Sequence, residues 1–148
     1  MATFFEVFPD GTIWSNDDEG KGYDIVLLGQ AGPTKINVDE LQRRLDREDH
    51  ARVAESLREV KFRSAVELLG TYAGRGPDLQ GWLKGAEINR DRDLRLQYLA
   101  GMAPNLYQEE TIYNLMAVHR KFPENLFEAS ELRMEALKKA IETRSTTK

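Results

Sequence analysis

The sequence predicts a mixed fold, α/β or α+β, with a short β-hairpin or meander at the N-terminus and a mostly helical region after it. Three observations predict it. Residues that favour strands, separated by turn signals, crowd into positions 1–36. Helix caps followed by apolar stripes recur over 37–148. One further segment near 94–100 alternates apolar and polar residues, a half-buried strand pattern. With 148 residues the chain has about one domain's worth of length, and it reads as a single unit without repeats or low-complexity linkers.

Thr3 to Phe8 (TFFEVF) is rich in β-formers and reads as a first strand. Pro9-Asp10-Gly11 signals a turn. Thr12-Ile13-Trp14-Ser15 reads as a second strand, and the polar stretch from Asn16 to Gly22 as a loop. Tyr23 to Leu28 reads as a third strand, and the unbroken apolar run Ile25-Val26-Leu27-Leu28 predicts burial on both faces. Asn37 with Glu40 resembles a capping box ahead of Val38, Leu41 and Leu45. A second helix is expected over about 49–60, with an apolar stripe of Val53, Ala54, Leu57 and Val60. Ser64 and Glu67 form a capping box leading SAVELLGTYA, which Gly74-Arg75-Gly76-Pro77 ends. Asp78 would cap a short turn carrying Leu79, Trp82 and Leu83. Asn105 and Gln108 suggest the start of a helix reaching about Arg120, and Pro123 interrupts before a last helix that Ser130 introduces.

Composition narrows the chemistry. Apolar residues make up 41% of the chain, enough for a core. The net charge of -4 and the pI near 5.3 argue against non-specific binding to nucleic acid or membranes. The absence of cysteine excludes disulfides, thiol nucleophiles and iron–sulfur clusters. No apolar run is long enough to span a bilayer, and MATFFEVFPDG has no basic n-region, so the expected location is the cytoplasm.

Catalytic motifs are scarce. The nearest approach to a dinucleotide fingerprint, Gly20-Lys21-Gly22-Tyr23-Asp24-Ile25, precedes a strand when it should follow one. Asp17-Asp18-Glu19 lacks the ligand spacing of a calcium loop. His119 lies where a cation complements a helix C-terminus, and His50 sits near a helix start. The arginines at 90, 92 and 95 alternate with Asp91 and Asp93, which nearly cancels their charge. Convergence of Trp14, Asp17 and Asp91 on one pocket would point to a small independent enzyme.

Three blocks carry a resemblance. TFFEVFPDGTIWSN with GYDIVLLGQ resembles the late sheet region of the spermidine synthases, the polyamine aminopropyltransferase family. AEINRDRDLRLQYLAG is similar to that family's late asparagine–aspartate segment and following strand. SAVELLGTYAG with DLQGWLKG is similar to helices before that segment in longer bacterial members. The resemblance covers most of residues 3–127. It implies transfer of an aminopropyl group from decarboxylated S-adenosylmethionine to an amine such as putrescine.

The resemblance also implies that the N-terminal strands close a Rossmann-like sheet begun upstream. The family's donor-binding loop and catalytic aspartates belong to that upstream part. The chain alone is therefore expected to be inactive and to hold no cofactor or metal. By the same resemblance, Trp14 and Asp17 fall on the polyamine-binding side, and the expected partners are a polyamine, a second copy, or a chain that supplies the rest of the sheet. The other reading is a non-enzymatic interaction module that completes a partner's sheet.

Overall fold

The computed structural model describes residues 1–16, 24–93, 97, 99 and 109–146. Its class is α+β, with a small antiparallel sheet and helices around it. In chain order the elements are α1 (Ala2–Val7), β1 (Thr12–Ser15), β2 (Ile25–Leu28), β3 (Ile36–Asn37) and α2 (Val38–Leu45). A 3₁₀ turn (Glu48–His50) leads into α3 (Ala51–Glu59), followed by α4 (Ala65–Leu69), β4 (Tyr72–Arg75) and α5 (Gly76–Leu79). Last come α6 (Glu109–Ala117), β5 (Phe127–Glu128) and α7 (Glu131–Thr146).

The sheet runs β2-β1-β4, with both neighbours antiparallel to β1. The β1–β2 hairpin expected from the sequence is present. Its register pairs Thr12 with Leu28 and Trp14 with Val26. Because side chains alternate along a strand, β1 feeds two separate cores. Trp14 joins a cluster of Val38, Leu69, Tyr72, Phe127, Leu137 and Ile141, drawn from α2, α4, α7 and the strands beside them. Ile13 faces the other way into Ala73, Leu79, Tyr113 and Met116, with Phe5 of α1 packed at its edge. A separate parallel pair, β3–β5, joins residues some ninety positions apart through Ile36 opposite Phe127.

Local capping chemistry explains the helix starts. Asn37 accepts a hydrogen bond from the Glu40 backbone N–H at 2.8 Å and opens α2. Ser64 does the same for Glu67 at 3.1 Å and opens α4. Asp39 then fastens α2 to the start of α7, accepting from the Ser130 N–H, from its hydroxyl and from Arg133. Ser130 stands just before α7, its carbonyl accepts from the Met134 N–H at 2.9 Å, and its hydroxyl donates to Asp39.

Several expectations are corrected. The first strand, Thr3 to Phe8, is the helix α1. Strand propensity yields here to aromatic packing. Helical spacing brings the Phe4 and Phe8 rings to 5.4 Å, and each ring then lies on a glycine of the hairpin. A Cβ on Gly11 would stand 2.5 Å from the Phe4 ring, and one on Gly29 2.5 Å from the Phe8 ring.

The apolar run of β2 is not buried on both faces. It is an edge strand, with Val26 58% and Leu28 49% exposed. The helix led by Ser64 stops at Leu69, and Tyr72–Arg75 of the same stretch is β4. The stripe of α3 is mostly open, since Val53 and Val60 are exposed and no residue of that helix is buried. The strand expected near 94–100 falls mainly outside the described residues, and the two described there, Gln97 and Leu99, are helical. The cap expected at Asn105 and Gln108 also lies outside them.

Candidate functional site

The hairpin places one concave feature on the Trp14 face of the sheet. Thr12, Trp14, Val26 and Leu28 share that face because they are paired across the two strands. Leu41 of α2, Leu68 and Leu69 of α4, and Phe62 between α3 and α4 rise beside it, with Ile36 of β3. Together they enclose an open trough of about 720 Å³, within the range of small-ligand sites.

The trough has two unlike ends. Leu28 and Ile36 lie toward the apolar end. Ser15, Asn16, Asp24 and Thr71 gather at the other, where β1 stops and β2 and β4 begin. The Asn16 N–H donates to the Asp24 carbonyl at 3.0 Å, and the Ser15 N–H donates to the Thr71 carbonyl at 2.8 Å. Asp24 is the charged residue among the described lining residues, which include no lysine, arginine or histidine.

The indole of Trp14 is held from three sides. Its Nε1–H donates to Thr12 Oγ1 at 2.9 Å. Its ring meets Tyr72 edge-on at 5.7 Å and Phe127 at 6.4 Å, a favoured arrangement for aromatic pairs. The Trp14 surface that remains is therefore a fixed apolar wall.

Behind the polar end runs a buried chain of donors. Arg120 Nη2 donates to the Tyr113 hydroxyl at 2.9 Å, and that hydroxyl donates to Ser15 Oγ at 2.8 Å. Among the described residues, Arg120 Nε and Nη1 are buried without a hydrogen-bond partner, as is the Tyr72 hydroxyl. Burial pushes the Tyr72 phenol pKa upward.

The outer edge of β2 is a second surface. The bond from Asn16 to Asp24 marks residues 16 and 24 as a hydrogen-bonded pair. Antiparallel pairs alternate, so Trp14 and Val26 form the next one. The backbone N–H and C=O groups of Ile25 and Leu27 then point away from β1, and no described strand pairs with them.

Of the residues singled out in the sequence, Trp14 lines the trough and Asp17 lies outside the described residues. Asp91 is not brought to Trp14; it lines a separate cleft with Thr3, Glu6 and Arg90. His50 contacts Asp49, which also binds Arg47; these bonds, that from Arg47 first, pull the Asp49 pKa down to about 2. No group of three or more His, Asp or Glu suited to a metal occurs among the described residues. No described helix is long and apolar enough to cross a membrane.

Sequence reasoning missed Asp24 and Phe62. Asp24 looked like the lead of a buried strand, and its meeting with Asn16 depends on hairpin register. Phe62 is a lone aromatic between two helices, with no local signal of what it faces. Comparison with family models, curated proteins and solved structures finds no match to this chain.

Proposed function

We propose that this chain is the sheet-closing C-terminal part of a spermidine synthase-like aminopropyltransferase and is inactive by itself. The observation that carries the reading is β2, an apolar edge strand whose outward amides pair with no described strand and whose Val26 and Leu28 are exposed. A strand of that composition is suited to the inside of a wider sheet. The resemblance supplies what would adjoin it, a donor-binding part carrying the catalytic aspartates. Trp14 and Asp17 would belong to the acceptor side. Deprotonating an attacking amine needs a placed carboxylate, and this reading assigns that group to the donor-binding part.

The test is direct. Purified chain given decarboxylated S-adenosylmethionine and putrescine should show no turnover, and clear turnover overturns the reading. Co-expression with the segment encoded immediately upstream should yield aminopropyl transfer.

The same edge favours a second reading, an interaction module that lends its hairpin to an unrelated partner's sheet. Failure of the co-expressed pair to bind the nucleoside donor would favour it.

A further inference from the structure

We propose that the outer edge of β2 takes residues 3–8 of a second copy as an added strand, in a reciprocal strand-exchanged dimer. This goes beyond the transferase reading. It concerns what covers the edge when the chain is by itself, and it holds whatever other partner that edge takes.

The receiving side is the apolar strand Ile25–Leu28. Val26, Leu27 and Leu28 are all exposed, and the outward amides of Ile25 and Leu27 pair with no described strand. An added strand would bond those amides and cover those side chains together. The four residues carry no charge, which suits a donor strand of high β-propensity and low charge.

The donating side is TFFEVF, whose residues favour a strand and whose single charge is Glu6. It is helical here without the means to be so alone. The six residues of α1 fall well short of the ~12–15 at which a helix begins to hold itself in water, and none of them is buried. What holds α1 is the seating of phenylalanine rings on glycines, Phe4 on Gly11, Phe5 on Gly76 and Phe8 on Gly29. Two outer fastenings add to it. The Asn89 N–H donates to Thr3 Oγ1 at 2.9 Å, and Arg90 pairs with Glu6 at 2.6 Å.

Connectivity selects a second copy. Residues 9–11 join this segment directly to β1. To bring it outside β2 in its own chain, they would have to cross the end of the sheet where the chain leaves β2 at Gly29. Connections at one end of a sheet do not cross. The segment of a second copy meets no such barrier, and two-fold symmetry lets each chain give one strand and receive one.

The probe is a peptide of residues 2–9, carrying two added lysines for solubility, titrated into isotopically labelled chain. It should slow hydrogen exchange at the Ile25 and Leu27 amides. The same peptide with Phe5→Pro, which lacks a ladder donor, should not. Without peptide, the dimer that forms at high concentration should lose the helical carbon shifts of residues 3–7 and gain those of a strand. Arg90→Ala removes one outer fastening. It should tighten dimerisation about two- to fivefold for each helix released, the scale of an exposed ion pair.

The proposal is overturned if the peptide leaves both amides exchanging as before, if the chain stays a monomer, or if the dimer keeps α1 helical. It is equally overturned if the strand shifts arise in the monomer, or if Arg90→Ala leaves association unchanged. A donor-binding part enters none of these measurements, so the transferase reading stands or falls separately, on the co-expression assay.

Discussion

Tyr72 is buried to 0% exposure, yet its hydroxyl has no hydrogen-bond partner among the described residues. Leaving a buried hydroxyl unpaired costs stability, whereas replacing it with a ring of the same shape does not. Tyr72→Phe should therefore stabilise the fold by about 1 kcal/mol in urea unfolding. The same burial raises the phenol pKa, so the folded state holds a proton that the unfolded chain releases. That contribution is full below pH ~10 and falls as pH climbs above it; Tyr72→Phe should flatten the alkaline limb of a Tm–pH profile. Asp39 works in the opposite direction. The Ser130 backbone N–H, helped by its hydroxyl and by Arg133, lowers the Asp39 pKa. Its contribution is present above its ordinary value of 3.8 and disappears as pH falls through the lowered one. Asp39→Asn should lower Tm at neutral pH and reduce its decline in acid. The partners of Asp39 were not legible in the sequence, because those contacts join elements far apart in the chain.

The elements that the sequence revealed are those with local causes. The starts of α2 and α4 follow from a cap residue immediately upstream, and the structure shows both caps bonded to the N–H three residues on. Asn37→Ala should cost about 1 kcal/mol in chemical unfolding, with α2 loosened first. Elements with distant causes were hidden. β3 and β5 are two residues each, and nothing near Ile36 announces that it will pair with Phe127. The helix at Ala2–Val7 was hidden for a different reason. Its residues favour a strand, and distant glycines such as those at 11 and 29 make room for the helical alternative. In β2 the apolar run gave the strand correctly and its burial wrongly, because burial depends on how many strands stand beside it. The same limit applies to the trough. Trp14 could be picked out from its place before a loop, but Asp24, Phe62 and Leu41 meet it only through tertiary packing.

For the molecule as a whole, one three-stranded sheet separates two apolar clusters, and β2 is an edge strand with an exposed apolar surface. An exposed apolar edge strand is a site for pairing with another chain. Wild-type protein should show concentration-dependent association in light scattering. Leu27→Lys places a charge on that edge and should leave a monomer, with thermal stability changed by less than about 0.5 kcal/mol. Loss of folding in that variant would mean that the edge is already covered in solution.

The seating of Phe4 on Gly11 and of Phe8 on Gly29 has a further consequence. These glycines lie side by side at the open end of the hairpin, one just before β1 and one just after β2. A two-residue slip of β2 along β1 would preserve which side chains face each core. It would, however, carry Leu27 or Ala31 to the place of Gly29, under a ring that leaves no space for a side chain. The short helix α1 thus acts as a gauge laid across the hairpin, and the strands can reach only one alignment beneath it.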